Sequence, residues 1–244
     1  MKYLSLLAIF PLILCWQTME NTRGEAKKKE VSFELHHLVR KAKDATRSAP
    51  VLILLHGYGS NENDLFSLAN QIPEDWLVVT VRAPYSIAKN QFKWYDVKLV
   101  KEKITMNFAK EEKSRKLLLQ FIEVLEKKYK VDKNKIVTAG FSQGANMALG
   151  LALTEPNKIL AAGCFSGRFM EEIKPLIQDK QALKGKQVFL SHGTQDKMLP
   201  LRYAEENKAT LASWGINVTF TTDEVAHTIS SQQFTDFINW MNTL

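Results

Sequence analysis

The chain is poor in cysteine. Its 244 residues contain only two, Cys15 and Cys164, so neither a disulfide framework nor a metal site built from several cysteines is available to it. Cys164 lies in a short apolar run and is expected to be a buried thiol. The fold must therefore depend on an apolar core, and a chain of this length can bury a sizeable one.

Motifs for binding nucleotides or nucleic acids are also missing. No Gly-x-Gly-x-x-Gly or Walker loop follows an apolar run, which argues against a nucleotide-binding domain. The formal net charge is +7, but many lysines fall in short runs such as Lys27-Lys28-Lys29, and no basic motif with interleaved aromatic residues argues for nucleic acid. We therefore predict no nucleic acid partner. Internal repeats and signs of a second domain are absent as well.

A membrane-spanning run is the third absence. The apolar segment at the amino terminus, Tyr3 to Trp16, is too short to cross a bilayer comfortably, and Pro11 interrupts it. Lys2 precedes it, and a positive start before a short apolar run is typical of a secretory signal peptide. We interpret residues 1–19 as a signal peptide or lipoprotein export segment and the polar residues 20–30 as a linker.

The export prediction leaves alternatives open at Cys15. This cysteine closes the apolar run, so lipidation there would give a lipoprotein associated with the membrane. An uncleaved anchor is the third alternative. Simple export to the periplasm or the medium is the prediction we prefer.

Residues 31–244 alternate between apolar runs and amphipathic patterns. The runs Pro50–Leu55 and Trp76–Val81 fit strands that are covered on both faces, whereas Glu111–Tyr129 repeats apolar residues at helical spacing. A first strand within Val31–Val39 could lie at a sheet edge. The alternation predicts a single α/β domain over residues 31–244, with a mostly parallel central sheet and helices on both faces.

One short motif carries the strongest chemical signal. Gly140-Phe141-Ser142-Gln143-Gly144 follows a β-branched apolar run and precedes an apolar helical pattern. A strand, a Gly-x-Ser-x-Gly motif and a helix form a nucleophile elbow, a sharp turn that exposes the serine hydroxyl. Ser142 is the candidate nucleophile, and the backbone N–H of Gln143 is a candidate donor to an oxyanion.

A second glycine-containing loop follows the strand at Pro50–Leu55. Gly57 and Gly59 indicate that the backbone there comes close to another group. In a serine hydrolase the second N–H of the oxyanion hole comes from the loop after an early strand, and we assign it to Tyr58. The His56 side chain is expected to brace this loop.

A serine hydroxyl also needs a general base, and the base needs an acid that orients it. In this fold the chain order is serine, acid, histidine. His227 lies between the last predicted strand and the last helix and is the predicted base. Asp196 follows the preceding strand and is the predicted acid, with Asp223 and Glu224 as alternatives.

The periodicity fades between Tyr85 and Phe108. A long irregular stretch inside a compact domain is often a binding loop or a lid. Its aromatic residues Phe92, Trp94 and Tyr95 are candidate substrate-binding residues near the serine. The alternative is that they simply cover the sheet.

Six motifs occur together and in order. They are Leu55-His56-Gly57-Tyr58-Gly59, Arg82-Ala83-Pro84, Trp94-Tyr95-Asp96, Gly140-Phe141-Ser142-Gln143-Gly144, Ser191-His192-Gly193-Thr194-Gln195-Asp196 and Ala226-His227. In this combination the chain resembles the phospholipase/carboxylesterase family of α/β-hydrolases, which includes acyl-protein thioesterases and small bacterial carboxylesterases. The resemblance covers roughly residues 30–244.

The resemblance implies an α/β-hydrolase fold, a triad of Ser142, Asp196 and His227, and an oxyanion hole formed by the backbone N–H groups of Tyr58 and Gln143. It implies no metal and no cofactor. Two positions depart from the family pattern. Ala145 stands where many members have a second glycine, and Val225-Ala226 stands where many have a glycine before the histidine.

The sequence therefore predicts an exported serine esterase that acts on small or lipid-like acyl esters through an acyl-enzyme. A thioesterase or a peptidase with the same triad is the nearest alternative, because the triad does not choose the leaving group. A non-catalytic binding protein on a hydrolase scaffold is the alternative from another class.

Overall fold

The computed structural model describes residues 35–44, 46–100 and 103–244. The predicted export segment, residues 1–19, and the predicted linker, residues 20–30, lie outside the described residues. Among the helices of the described ranges, none combines the length and the apolar character that a membrane span requires.

A seven-stranded sheet organises the described chain, and its strand order is β1-β3-β2-β8-β9-β10-β11. The strands of this sheet are β1 His37–Arg40, β2 Ala49–Leu55, β3 Leu77–Val81, β8 Val131–Phe141, β9 Ala161–Phe165, β10 Gln187–Gly193 and β11 Asn217–Asp223. Strand β1 lies at one edge and pairs antiparallel with β3, whereas the other pairings are parallel. The predicted mostly parallel sheet is confirmed.

Helices cover both faces of this sheet. They are α1 Glu62–Phe66, α2 Phe108–Lys128, α3 Gln143–Thr154, α4 Arg202–Ser213 and α5 Ser231–Met241. Along β2, Val51, Ile53 and Leu55 pack in the same cluster as residues of α2, α3 and α4, whereas Leu52 and Leu54 pack with α1 and α5. Successive strand residues point to opposite faces, so one continuous apolar run supplies two cores.

The segment after β3 differs from the prediction. Residues 85–106 form two antiparallel hairpins and not an irregular loop. Their strands are β4 Tyr85–Ala88, β5 Gln91–Lys93, β6 Val97–Val100 and β7 Lys103–Met106. Strands of three or four residues with frequent lysines give almost no alternating apolar signal, and this explains why the pattern did not reveal them.

The helix caps show how local sequence sets two of the boundaries. Helix α1 begins after Asn61, whose side chain accepts a hydrogen bond from the Asn63 backbone N–H. Helix α5 begins after Ser230, which forms a reciprocal capping box with Gln233. Both caps satisfy backbone donors that the first helical turn leaves unpaired.

Candidate active site

Ser142 lies at the tip of a sharp turn between β8 and α3. Its backbone has φ 53° and ψ −113°, a conformation that residues with a Cβ rarely adopt. The Ser142 N–H donates to the Phe165 carbonyl oxygen on the neighbouring strand at 2.9 Å. A Cβ at Gly144 would collide with the Leu55 carbonyl oxygen, so only glycine lets the helix approach the sheet this closely.

A hydrogen-bonded chain of three side chains begins at this serine. His227 Nε2 lies 2.9 Å from Ser142 Oγ, and His227 Nδ1 lies 2.6 Å from Asp196 Oδ2. An ionised carboxylate can only accept, so Nδ1 carries the ring proton and Nε2 is left to accept the serine proton. The Phe141 ring packs against the imidazole with ring centroids 4.8 Å apart.

Asp196 is held in place from several sides. Its side chain is fully buried, and its Oδ1 accepts the backbone N–H groups of Met198 at 2.9 Å and Leu199 at 2.8 Å. His192 Nε2 donates to the Leu199 carbonyl oxygen at 2.6 Å and lies 3.3 Å from Asp196 Oδ2. His192, near the end of β10, therefore braces the loop that carries Asp196.

The alternative acids lie elsewhere. Asp223 accepts the Glu224 backbone N–H at 2.8 Å, and within the described residues neither carboxylate bonds to His227. Of the acids considered from the sequence, Asp196 is the one that the fold brings to the histidine.

Two backbone N–H groups beside the serine are free to donate. Tyr58 and Gln143 both line the pocket that contains Ser142, and neither N–H donates to another group of the described chain. His56 holds the Tyr58 loop, because its Nδ1–H donates to the Gly57 carbonyl oxygen at 2.7 Å and its Nε2 accepts the Ala83 N–H at 3.0 Å. Burial lowers the pKa of His56, which favours the neutral ring that both bonds require.

The pocket beside Ser142 has a volume of about 370 Å³. Its lining is mostly apolar with a few polar groups, as in many small-molecule sites. The lining residues are Tyr58, Tyr95, Val97, Met106, Ser142, Gln143, Asn146, Arg168, Met198 and Leu199. Sequence reasoning missed Asn146, one helical turn after Ser142, and Arg168, three residues after β9, because neither lies in a motif.

Of the three aromatic residues predicted to bind substrate, only Tyr95 lines the pocket. Trp94 is fully buried in the core, and its Nε1–H donates to the His56 carbonyl oxygen at 2.9 Å. Phe92 lies beneath the Arg82 guanidinium, 4.5 Å from the ring centroid. The structure places Phe92 and Trp94 against the loop that carries Tyr58 and not in the lining of this pocket.

The Gln143 side chain has a role that the sequence did not reveal. Its Oε1 accepts the Trp94 backbone N–H at 2.8 Å, and its Nε2–H donates to the Tyr95 carbonyl oxygen at 2.9 Å. Through these two hydrogen bonds, Gln143 connects the segment Trp94–Tyr95 to the turn that carries Ser142. Among the described residues, no three His, Cys, Asp or Glu side chains lie together so that they could hold a metal ion.

The sheet topology, the elbow and the loops at the strand ends define an α/β-hydrolase. Residues 37–244 match the model of the family described as Phospholipase/Carboxylesterase. The chain belongs to this family, and it is a hydrolase of the serine hydrolase type.

Known relatives agree with this assignment. The putative hydrolase MhqD of Bacillus subtilis is 25% identical over 194 residues, which cover 78% of this chain and 91% of the relative. The acyl-protein thioesterase 1 of Eremothecium gossypii is 29% identical over 178 residues, which cover 66% of this chain and 73% of the relative. The crystal structure of the Bacillus cereus carboxylesterase matches with a TM-score of 0.74 at 28% identity, covering 86% of this chain and 94% of that one.

Proposed function

We propose that this protein is a carboxylic-ester hydrolase that uses Ser142, His227 and Asp196 as a catalytic triad. The observation that carries the proposal is the continuous hydrogen-bonded chain from Ser142 Oγ through His227 to Asp196, at the wall of an apolar pocket. A solvent-facing serine in an ordinary turn would have no reason to be aligned with a histidine whose tautomer a buried carboxylate fixes.

The proposed reaction follows from this geometry. His227 Nε2 takes the proton from Ser142 Oγ as that oxygen attacks the ester carbonyl carbon. The backbone N–H groups of Tyr58 and Gln143 donate to the oxyanion of the tetrahedral intermediate, and Asp196 stabilises the imidazolium. His227 then protonates the departing alcohol, which leaves an acyl-enzyme on Ser142. Water deprotonated by His227 attacks this ester and releases the acid.

The apolar pocket supports small or lipid-like acyl groups as substrates. A thioesterase is the second candidate, because several relatives are named acyl-protein thioesterase 1. The triad serves oxygen and sulfur leaving groups alike, so a panel of matched esters, thioesters and anilides would rank the activities. We expect esters to have the highest kcat/KM, and a higher value for thioesters would replace the proposal with the second candidate.

The first test is the substitution Ser142→Ala. We expect it to lower ester turnover by at least ~10³-fold, since losing a triad member removes the nucleophile while binding and the oxyanion hole remain. A fluorophosphonate probe should label Ser142 in the native enzyme, and the label should disappear after prior denaturation or in His227→Ala. Absence of labelling in folded protein would contradict an assembled triad.

Ser166→Ala is a matched control for this test. Ser166 lies one strand further along the same sheet edge, is buried, and its Oγ has no hydrogen-bond partner in the described chain. Removing that hydroxyl should leave turnover and labelling within about threefold of wild type, consistent with the usual effect of a change that breaks no interaction. A loss as large as that of Ser142→Ala would mean that the nucleophile has been assigned to the wrong serine.

A further inference from the structure

Arg168 places a positive charge in the wall of an otherwise uncharged pocket. It is the one lining residue, among those the structure describes, that carries a formal charge at neutral pH. The other partly or fully buried arginines have partners: Arg40 donates to backbone carbonyls, and Arg82 and Arg115 pair with glutamates. The Arg168 guanidinium has no hydrogen bond and no ion pair with any residue of the described ranges.

The backbone that carries Arg168 is fixed. The Arg168 N–H donates to Asn146 Oδ1 at 2.8 Å, and the Phe169 N–H donates to Asn207 Oδ1 at 2.6 Å. Asn207 Nδ2 in turn donates to the Gly167 carbonyl oxygen at 3.1 Å. Asn146 lies one helical turn after Ser142, so its bond to Arg168 fixes the position of the loop that carries Arg168 relative to the nucleophile. The backbone therefore has little conformational freedom left to lose when a ligand binds there.

Glu111 and Glu172, which act electrostatically on Tyr95 in the pocket wall, do not neutralise this arginine. Glu111 is buried and pairs with Arg115. Glu172 is exposed and lies outside ion-pairing distance of Arg168 in the described structure. A guanidinium without a counter-charge beside apolar walls interacts strongly with an anion, because the low local polarity screens the attraction less than water does.

We propose that Arg168 binds a carboxylate carried by the substrate, so that the preferred substrates are small esters with a free carboxylate. The proposal rests on the proposed ester hydrolysis at Ser142. A guanidinium presents two parallel N–H groups that match the two oxygens of a carboxylate. One guanidinium balances the single charge of a carboxylate, whereas a phosphate dianion would leave a net negative charge in this pocket.

Two matched pairs of esters test the proposal. In the first pair, monomethyl adipate and methyl hexanoate differ by a carboxylate on the acyl side. In the second pair, 4-acetoxybenzoate and 4-methylphenyl acetate differ by a carboxylate on the alcohol side. We expect wild-type enzyme at pH 7.5 and low salt to prefer the carboxylate member of at least one pair by about tenfold or more in kcat/KM, as a hydrogen-bonded charge pair provides.

The substitution Arg168→Gln should lower that preference ratio by about 10- to 100-fold, because it replaces the charged guanidinium with a shorter, neutral amide. Arg168→Lys should retain part of the ratio, since it keeps the charge but loses the planar fork. Equal preference for both members of each pair in wild type would overturn the proposal. An unchanged ratio in Arg168→Gln would overturn it as well.

Arg47→Gln is the matched control for net charge. Arg47 is exposed and precedes β2, whose opposite, carboxyl end leads into the site. This variant loses the same charge and should keep the wild-type ratio. A drop as large as that of Arg168→Gln would attribute the preference to general electrostatic steering and overturn the assignment to Arg168.

Failure of the ester hydrolase itself has a different signature. Wild-type enzyme would then hydrolyse none of the four esters, and a fluorophosphonate would not label Ser142. That result would overturn both proposals. Hydrolysis of the neutral esters without any preference for carboxylates would overturn only the role of Arg168.

Discussion

At the scale of single residues, the site depends on places where two backbone segments approach so closely that only glycine fits between them. Gly193 ends β10 just before the loop that carries Asp196, and a Cβ there would collide with the carbonyl oxygens of Val225 and Ala226. The loop that carries Asp196 is joined to the loop that carries His227 by the Gln195 N–H, which donates to the Val225 carbonyl oxygen at 3.1 Å. Gly193 therefore sets the spacing between the strand of the acid and the loop of the base.

We expect Gly193→Ala to lower kcat by about 10²-fold while the protein still folds. The new methyl group displaces the loop that leads to His227, and a misplacement of about 1 Å in a catalytic group can have an effect of this size. Stability should fall by roughly 1–3 kcal/mol, as for other overpacking substitutions. The measurement is kcat on a neutral ester, with the folded fraction of each sample determined by circular dichroism.

Gly185→Ala is the control for this substitution. Gly185 has φ 75° and open space where a Cβ would lie, and it precedes β10 at the end of the strand opposite the site. An alanine there should destabilise the protein by about 1 kcal/mol through its backbone conformation alone, with kcat unchanged. A wild-type kcat in Gly193→Ala would contradict the idea that this close contact positions the base.

Residues that follow directly after buried strands were accessible to sequence reasoning. The carboxyl ends of parallel strands meet at one edge, so Ser142, Asp196 and His227 could be brought together from their chain order alone. Arg168, three residues after β9, and Asn146, one helical turn after Ser142, lie at the same edge. Neither belongs to a recognisable motif, so sequence reasoning did not single them out.

At the scale of elements, the hairpin β6–β7 shows what a periodicity argument misses. Val97 and Met106, one from each strand, line the pocket, so this hairpin forms part of the substrate wall. Short strands stabilised by pairing with each other and by contacts with the core need no alternating pattern of their own. The long helix α2, by contrast, lies close to its predicted bounds because four turns of apolar spacing give a strong signal.

The packing of α2 against α3 contains a buried carboxyl group. Glu111 is fully buried, lies 3.3 Å from Arg115 one turn later, and its Oε2 has no hydrogen-bond partner in the described chain. Burial raises the pKa of Glu111 from 4.5 to about 7. The folded state therefore binds this proton more tightly than the unfolded state does. The stability that it contributes is complete below pH 4.5 and is lost as the pH rises through about 7.

The substitution Glu111→Gln should remove this pH dependence. Relative to the variant, wild-type protein should lose about 3 kcal/mol in the free energy of unfolding between pH 4.5 and pH 8, as the change in pKa requires. Urea denaturation across this range measures the difference. The comparison concerns the change with pH, because the variant also leaves Arg115 without its carboxylate.

Glu112→Gln is the neighbouring control. Glu112 pairs with Lys116 on the solvent side of the same helix, and this hydrogen-bonded lysine holds the pKa of Glu112 below its usual value. Glu112→Gln keeps Glu111 and should therefore keep the wild-type loss of stability towards pH 8. Parallel pH profiles for wild type and Glu111→Gln would show that Glu111 has the same pKa in the folded and the unfolded protein.

At the scale of the whole molecule, the sheet order explains why distant parts of the sequence meet. Strands β8, β9, β10 and β11 are parallel neighbours in that order, so the loops carrying Ser142, Asp196 and His227 leave the same edge. This arrangement was predictable because continuous apolar strands alternating with helices fit few arrangements other than a covered parallel sheet. The residues that line the pocket were less predictable, since several of them come from loops whose packing is set by the complete fold.

We propose that the whole chain is exported, because Lys2 and the apolar segment Tyr3–Trp16 have the pattern of a signal peptide. The family match begins only at residue 37, after this segment and the polar linker. Export would bring the protein into an oxidising environment. In the described chain the free cysteine is Cys164, which is buried. Burial raises the pKa of its thiol to about 12, so almost no reactive thiolate forms at neutral pH.

The expected outcome is a shortened protein with an intact thiol. Protein recovered from the periplasm or medium of a bacterial host should lack the amino-terminal export segment by intact mass, and a lipid adduct on Cys15 would identify the lipoprotein alternative. Cys164 should react with a maleimide only after denaturation, because the reagent needs an exposed thiolate. Full-length chain confined to the cytosol would contradict export. Rapid labelling of native protein at Cys164 would instead contradict the burial of this β9 side chain, whose Sγ lies close against Gly167.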